Sequence, residues 1–318
     1  MYPHPLVARV YYATGKLLAT ETDYGGDTCG PNHSGLAELT GELLNQLSRG
    51  AVVMIGEQHD NADHHVAQAL VARGTNPNAN SDRPVPVVFE QFRADQQVGL
   101  EKFADLKTAS PGQATLPEFK RLTEWEKSGW QQYNYDPLLQ AAIDAKLPIY
   151  AGDVPRDAIM KVAKEGEGAL PAEDRARLKL DDPLGPKLDD ASLSEIEEAH
   201  CGTMPKEAFT GMAYAQRYRD ASLADAVLKA ADKHGSAILI AGNGHVRTDR
   251  GVPWYIHQRA PDKKVVSVML IEVEDGKTDP EGYVPRDPDG KPATDYIIFT
   301  PRAERGDPCE KMREKMGK

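Results

Sequence analysis

Two histidines of this chain stand in the same local setting. Ala51-Val52-Val53-Met54-Ile55 runs into Gly56-Glu57-Gln58-His59, and Ala237-Ile238-Leu239-Ile240-Ala241 runs into Gly242-Asn243-Gly244-His245. Imidazole exchanges a proton near neutrality and ligates metals in its neutral form. Two further apolar runs end in polar residues: Pro86-Val87-Val88-Phe89 in Glu90, and Pro148-Ile149-Tyr150-Ala151 in Gly152-Asp153-Val154-Pro155-Arg156. Glu57, His59, Glu90 and His245 are therefore the candidate catalytic set. With His as base and Glu as its orienter, such a set runs metal-free acid–base chemistry. Nitrogen and oxygen donors equally suit Zn, Mn or Fe, and Glu57, His59 and His245 would be the ligands of a divalent metal ion. Neither spacing is the His-Glu-x-x-His of zinc proteases. A buried polar network that merely holds loops is the alternative that spacing leaves open.

The elements that must position these residues are legible as apolar runs. They are continuous rather than alternating, as in parallel strands covered on both faces. Each Gly lets the chain turn sharply where its strand stops. In an open α/β sheet the carboxyl edge of the strands is where ligands bind. The pattern predicts further strands at Val7–Tyr12, Lys264–Glu274 and Asp295–Thr300, and an exposed loop over residues 275–294. Helices are expected at Leu36–Leu47, at His64–Ala72 with Asp63 as its cap, and at Asp95–Leu106, Glu118–Lys127, Pro137–Lys146, Ser192–Ala199 and Lys206–His234. The order β-α-β-α-β, then helices, then β again, predicts an α/β fold. Its mostly parallel central sheet is flanked by helices. Residues 157–234 form a helical cap inserted in a single domain over residues 1–318, because strands flank that block on both sides.

A second group of residues has the chemistry to hold a cofactor. His64 and His65 stand in the first turn of a helix, where the macrodipole favours neutral imidazole. On the long helix Tyr214, Arg217 and Tyr218 share a face that suits an anionic ligand or a solvated ion-pair face. His200 reads as a pocket wall beside Cys201, itself read as core, and Asn243 is a further polar strand end. Trp125, Trp130, Tyr133 and Tyr135 form an aromatic cluster of the kind that fills cores. A porphyrin would also stack there, and a Tyr oxygen ligates ferric haem.

Composition narrows the classes. The chain has 318 residues and a formal charge of −11, which argues against a nucleic-acid groove. No apolar run is long enough for a membrane-spanning helix. Met1-Tyr2-Pro3-His4-Pro5 has no basic stretch before an apolar core, so no secretory signal is expected within this chain. Cys29, Cys201 and Cys309 make no framework. Three unpaired thiols are expected, with a Cys29–Cys309 bridge as the alternative in an oxidising compartment. No dinucleotide fingerprint, Walker loop, nucleophile elbow or Cys-x-x-Cys-His haem attachment occurs.

Taken jointly, the motifs resemble the ChaN-like haem-binding uptake proteins of the Tiki/TraB/erythromycin-esterase superfamily, over roughly residues 4–312. The carriers begin with Gly56-Glu57-Gln58-His59-Asp60-Asn61, His64-His65 and Gln68, then Val88-Phe89-Glu90-Gln91-Phe92 and Ala199-His200-Cys201-Gly202. Ala215-Gln216-Arg217 with Arg219-Asp220, Ala241-Gly242-Asn243-Gly244-His245 with Gly251-Val252-Pro253, and Asp307-Pro308-Cys309-Glu310 complete them. The resemblance implies an α/β fold and non-covalent haem b beside the strand-end crevice, with a Tyr on iron and a His at the propionates. It also implies a homodimer and residence in the periplasm or at the outer-membrane periphery through a lipidated N-terminus not in this chain. The wider superfamily implies a hydrolase alternative, a peptidase or esterase whose paired Gly-x-x-His motifs and Glu correspond to His59, His245 and Glu90.

Overall fold

In the computed structural model the structure describes residues 4–7, 9–14, 16–19, 34–76, 81–307, 309–310 and 313. Among the described residues eight strands form one sheet: β1 (Val10–Tyr12), β2 (Leu17–Ala19), β3 (Val52–Glu57), β4 (Val87–Arg93), β5 (Ile149–Asp153), β6 (Ala237–Gly242), β7 (Val265–Glu272) and β8 (Tyr296–Thr300). Their order is β2-β1-β8-β7-β3-β6-β4-β5. Every pairing from β8 to β5 is parallel, while β1 and β2 add an antiparallel ribbon at the β8 edge. The sheet is thus α/β and mostly parallel, as the apolar runs predict. The short strand β2 falls within residues 1–35, whose sequence reads only as an irregular or β-rich entry segment.

The continuous apolar runs follow from burial on both faces. Val53 and Ile55 of β3 face one core with Phe89, Phe92 and Ile240, while Val52 and Met54 face another with Val88, Leu239 and Tyr255. The first core is covered by α1 (Ser34–Ser48), α2 (Ala62–Gly74), α3 (Gln97–Ala109), α4 (Leu116–Leu122) and α5 (Asp136–Asp144). The second is covered mainly by α9 (Lys206–His234) and α10 (Val252–Arg259), with Leu178 of α7 (Ala172–Leu178). Helix α10 was not expected. Its Val252, Tyr255 and Ile256 are fully buried, so apolar burial rather than helix propensity fixes it.

Between β5 and β6 lie α6 (Arg156–Glu165), α7, α8 (Pro186–Ala199) and α9. Only part of this block stands apart as a cap. From Asp220 to Ala231 the Ala-rich face of α9 is buried against the sheet, as a covering layer. Small alanines let the helix approach closely. Helix α8 begins six residues earlier than the Ser192 expected, with Pro186 at its first position, where a missing N–H costs nothing.

The cysteine expectation is corrected. Cys201 and Cys309 form a disulfide across 108 residues, with Cα atoms 5.6 Å apart. Cys309 is therefore not available to Cys29, which lies outside the described residues. Cys201 is half-buried, not core, and follows the end of α8 at φ +57°. Spacing alone does not reveal that chain 108 residues away returns to this point.

Candidate functional site

The two motif strands are immediate neighbours in register. β3 pairs with β6 so that Gly56 faces Ala241 and Glu57 faces Gly242. His59 and His245 consequently emerge above the same edge of the sheet. Both glycines are required by close approach. A Cβ on Gly56 would lie 2.2 Å from Asn243 Oδ1, and one on Gly242 would lie 2.8 Å from His59 Nε2.

His59 is oriented from behind. Its Nδ1 lies 2.7 Å from Glu57 Oε1, and its side chain keeps 32% exposure where Glu57 has none. That bond leaves Nε2 facing the crevice, 4.0 Å from Glu90 Oε1. Trp130 lies against the His59 ring with centroids 4.7 Å apart. Burial pulls the His59 pKa down, but Glu90 and Glu57 outweigh it and the net shift is upward. Glu57 also accepts from Gln91 Nε2 at 2.8 Å and from the Tyr135 hydroxyl. Burial alone would raise its carboxyl, yet the bond and charge of His59, with His65 and Tyr135, hold it below the ordinary value.

Glu90 is the centre of the arrangement. Its Oε2 accepts from the Gly242 backbone N–H at 2.6 Å. Its Oε1 accepts from Arg219 at 2.7 Å and lies 3.3 Å from His245 Nε2. Against the cost of burial, His245, His59 and Arg219 hold its carboxyl well below the ordinary range. Arg219 is pinned in turn by Asp153 at the end of β5, at 2.6 Å. Behind His245, Nδ1 lies 2.6 Å from Asp220 Oδ1. Burial lowers the His245 pKa, but Glu90 and Asp220 raise it to about 10. Burial also raises the Asp220 carboxyl.

The result is two carboxylate–imidazole pairs, Glu57–His59 and Asp220–His245, whose Nε2 atoms converge on one buried carboxylate. All four candidate catalytic residues meet. The divalent-metal set does not assemble: Glu57 stands behind His59, and Arg219 already occupies the oxygen that both Nε2 atoms face. Among the described residues no cluster of three His, Cys, Asp or Glu side chains is disposed to hold a metal ion.

The residues assigned to a cofactor are scattered. His64 is buried, not exposed, because α2 turns its first turn into the protein. It accepts from the Gln58 N–H at 2.8 Å through Nδ1 and meets Thr300 Oγ1 at 2.8 Å through Nε2. Burial pulls its pKa down to about 4, so the ring is neutral. The cap of α2 is Asn61, whose side chain accepts from the Asp63 N–H, rather than Asp63 itself. His65 is also fully buried. Asn243 donates to the Leu270 carbonyl at 2.7 Å, and Arg217 is taken up by the Tyr255 hydroxyl and the Leu180 and Asp182 carbonyls. His200 uses Nδ1 on the Ile196 carbonyl. Tyr214 differs: its hydroxyl is buried with no hydrogen-bond partner, beside a cavity of ≈ 240 Å³ between α8 and α9. Burial raises its pKa.

The sequence marks Gln91, Arg219 and Asp220 only as carriers of the resemblance and Tyr135 only within the aromatic cluster, and assigns none of them to this site. Gln216, Arg219 and Asp220 also stand at i, i+3, i+4 on α9, two positions on from the triplet Tyr214, Arg217 and Tyr218. The signal was the apolar stripe: Ala215, Leu223, Ala224 and Val227 are buried, and Asp220 lies within that stripe. A charge set among core positions must meet a buried partner.

The geometry can be set against known proteins. A structure described as cofacial heme binding to ChaN of Campylobacter jejuni is 18% identical, covers 91% of this chain and 95% of its own, and superposes with a TM-score of 0.65. An erythromycin esterase mutant, EreC, in its open conformation is 13% identical, covers 86% of this chain and 95% of its own, and has a TM-score of 0.42, too low for inference. No curated protein sequence matches the chain. A family model described as haem-binding uptake, Tiki superfamily, ChaN, matches residues 43–256. The span contains both Gly-x-x-His motifs, Glu90, Arg219 and Asp220, and the chain belongs to this haem-binding uptake family.

Proposed function

We propose that the protein binds haem b non-covalently in bacterial haem or iron uptake. The observation that carries this reading is the family match across the whole site region. The residues present offer one fitting donor. Tyr214 has a hydroxyl with no partner, and a Tyr oxygen is an established ligand of haem iron. When bound, haem supplies the iron; the chain supplies that oxygen and the flanking walls of α8 and α9. The cavity beside Tyr214 is smaller than the ~300–1,000 Å³ typical of enclosing ligand pockets. Enclosing haem there would need a second copy of the chain over the outer face, as the homodimer reading supposes. The Cys201–Cys309 disulfide supports an oxidising compartment, in line with the periplasm or outer-membrane periphery and a lipidated N-terminal anchor. Titration with hemin tests the proposal. A Soret band with micromolar affinity is expected, weakened at least tenfold in Tyr214→Phe and unchanged in Tyr133→Phe. No band at micromolar hemin overturns the haem reading; equal binding by Tyr214→Phe overturns the ligand assignment.

A second reading, hydrolysis of an ester or peptide, is favoured by the two converging carboxylate–imidazole pairs. His59, one third open to solvent and held through Nδ1, is the base that takes a proton from water at Nε2 as the water oxygen bonds the carbonyl carbon, and it returns that proton to the leaving alcohol or amine as the C–O or C–N bond breaks. His245, kept protonated by Glu90 and Asp220, is the cation that steadies charge developing on a carbonyl oxygen. Glu90 and Arg219 fix the spacing between them. No metal takes part in this scheme. Activity should rise as His59 loses its proton above its ordinary value of 6.5 and fall as His245 approaches about 10. A panel of chromogenic esters and peptides, run with His59→Ala and His245→Ala, is the test. Turnover that both variants retain rules this reading out.

A further inference from the structure

Helix α8 lies on the protein without joining its core. Of its 14 residues none is buried, whereas α9, on which it packs, buries residues from Phe209 to Ala231. Between the two helices lies the cavity of ≈ 240 Å³, with Asp189, Ser192 and Leu193 on the α8 side and Thr210, Tyr214 and Arg217 on the α9 side. A helix with so few buried apolar contacts opens at lower free-energy cost than the core does. Both of its flanks are built to turn. Gly185 stands at φ +99° before the helix, and Cys201 and Gly202 stand at +57° and +59° after it. A few residues at element ends that absorb backbone rotation are what a hinge requires.

What holds α8 down is polar or covalent. Lys187 pairs with Asp289 at its start, and Glu195 pairs with Arg250 along its length. Lys187 and Asp289 keep more than half of their side chains in solvent, and Glu195 about half. Ion pairs this exposed contribute little. The covalent tie is the Cys201–Cys309 bridge just past its end. Cys309 belongs to a tail that is anchored elsewhere. From Thr300 the chain crosses the carboxyl ends of β7 and β3. The Ala303 N–H donates to Glu272 at 3.0 Å, and Asn61 donates to the Pro301 carbonyl at 2.9 Å. Arg305 reaches Glu272 at 2.7 Å and Asp60, the residue after His59, at 2.6 Å. Among the described residues after β8 none is buried. The bridge thus joins a surface helix to a surface tail, and no apolar core holds either once it is cut.

We propose that α8 is a lid over the Tyr214 cavity and that the Cys201–Cys309 bridge is its redox latch, opened by a dithiol. The inference rests on the haem reading of that cavity and supplies its regulation. A thiolate of the dithiol attacks one bridge sulfur, and the S–S bond breaks with its electron pair on the other, which takes up a proton. The second thiol of the reductant gives up its proton and displaces the remaining cysteine from the mixed disulfide. Two electrons pass to Cys201 and Cys309, both left as thiols, and the reductant departs as its own disulfide. Neither cysteine is buried, so the attack has a path. With the tail released, α8 turns on its two flanks and the cavity widens beside Tyr214.

Amide hydrogen exchange with and without dithiothreitol tests the latch. At short labelling times residues 186–199 should exchange about tenfold faster in the reduced protein, while β3 and β6 stay protected. Cys201→Ser combined with Cys309→Ser should show the fast α8 exchange without reductant and no further response to it. The hemin association rate should rise by a similar factor in the reduced wild type. Equal α8 exchange in the two redox states overturns the proposal. Loss of protection in β3 and β6 together with α8 overturns it too, because the bridge would then support the whole fold rather than a lid. An unchanged hemin rate beside a faster α8 overturns control of the cavity. If the double variant does not fold, the oxidised and reduced wild type decide between them. Failure of the haem reading shows as no Soret band in either redox state and leaves the exchange experiment standing.

Discussion

Raising His245 to about 10 makes the stability of this protein depend on pH in a way one substitution can isolate. The folded ring holds its proton far above the ordinary 6.5 because Glu90 and Asp220 flank it in the interior. A raised folded-state pKa contributes stability that is fully present below 6.5 and lost as pH climbs through 10. A gap of roughly 3.5 units corresponds to ~5 kcal/mol at most, at ~1.4 kcal/mol per unit. His245→Gln removes the titrating group and leaves Glu90 and Asp220 without their shared cation. Breaking such a buried pair costs about 3–5 kcal/mol. In urea unfolding the variant should be less stable than the wild type by that amount at pH 6. Between pH 7 and 10 the wild type should lose ~1.4 kcal/mol per unit more than the variant, so that the curves converge. Other alkaline titrations are common to both proteins and cancel in the difference. Parallel curves across that range would refute the charge assignment of His245 and, with it, its role as the fixed cation.

The Cys201–Cys309 bridge closes a loop of 108 residues, for which chain entropy gives ~4.7 kcal/mol. Replacing both cysteines by Ser should lower the thermal midpoint by about 7 °C for a chain of this length, and reductant should bring the wild type to the same value. Gly56→Ala places a methyl 2.2 Å from Asn243 Oδ1 and 2.7 Å from Val246 Cγ2, so calorimetry should show a loss of about 1–3 kcal/mol. Arg219→Met strands Glu90 and Asp153 together, and a loss of ~3–5 kcal/mol in denaturant midpoint is expected; Asp153→Asn in the same background should recover part of it.

How much of this was readable beforehand follows from what fixes each feature. The six strands from β3 to β8 were legible, because burial on both faces writes continuous apolar runs into the sequence. That β3 and β6 lie side by side was not readable, since nothing local specifies which buried strands pair. It is that adjacency which brings Glu57 opposite Gly242. That Glu57, His59, Glu90 and His245 share one edge was legible because glycine-broken strand ends mark the ligand edge of a sheet. Their supports were missed because they lie on α9, where a shift of two positions separates Arg217, spent on backbone carbonyls, from Arg219, spent on Glu90. His64 and His65 were placed in the right helix turn and read as cofactor donors, whereas both rings are fully buried. Helix periodicity gives spacing without direction, and α2 is too rich in buried Ala, His and Gln to show one clear apolar stripe.

The alternative that these residues merely hold loops meets an energetic objection. Glu57, Glu90, Asp153, Asp220 and His245 are all nearly sealed from solvent, and Arg219 is four-fifths covered. Buried charges carry desolvation costs of several kcal/mol each, and apolar residues of similar volume commonly do as well or better for stability. The surrounding strands show that this sheet edge has such residues to hand: Ile55, Phe89, Ile240 and Leu270 are fully buried in one apolar core just below. A loop-holding network has no need to leave one of its members open, yet His59 alone keeps a third of its side chain in solvent, with Nε2 bare of any close hydrogen bond and its Nδ1 tied back. A charge cluster that costs stability, converges on a single carboxylate and opens to solvent at one imidazole is the pattern expected where function, not folding, holds the residues in place.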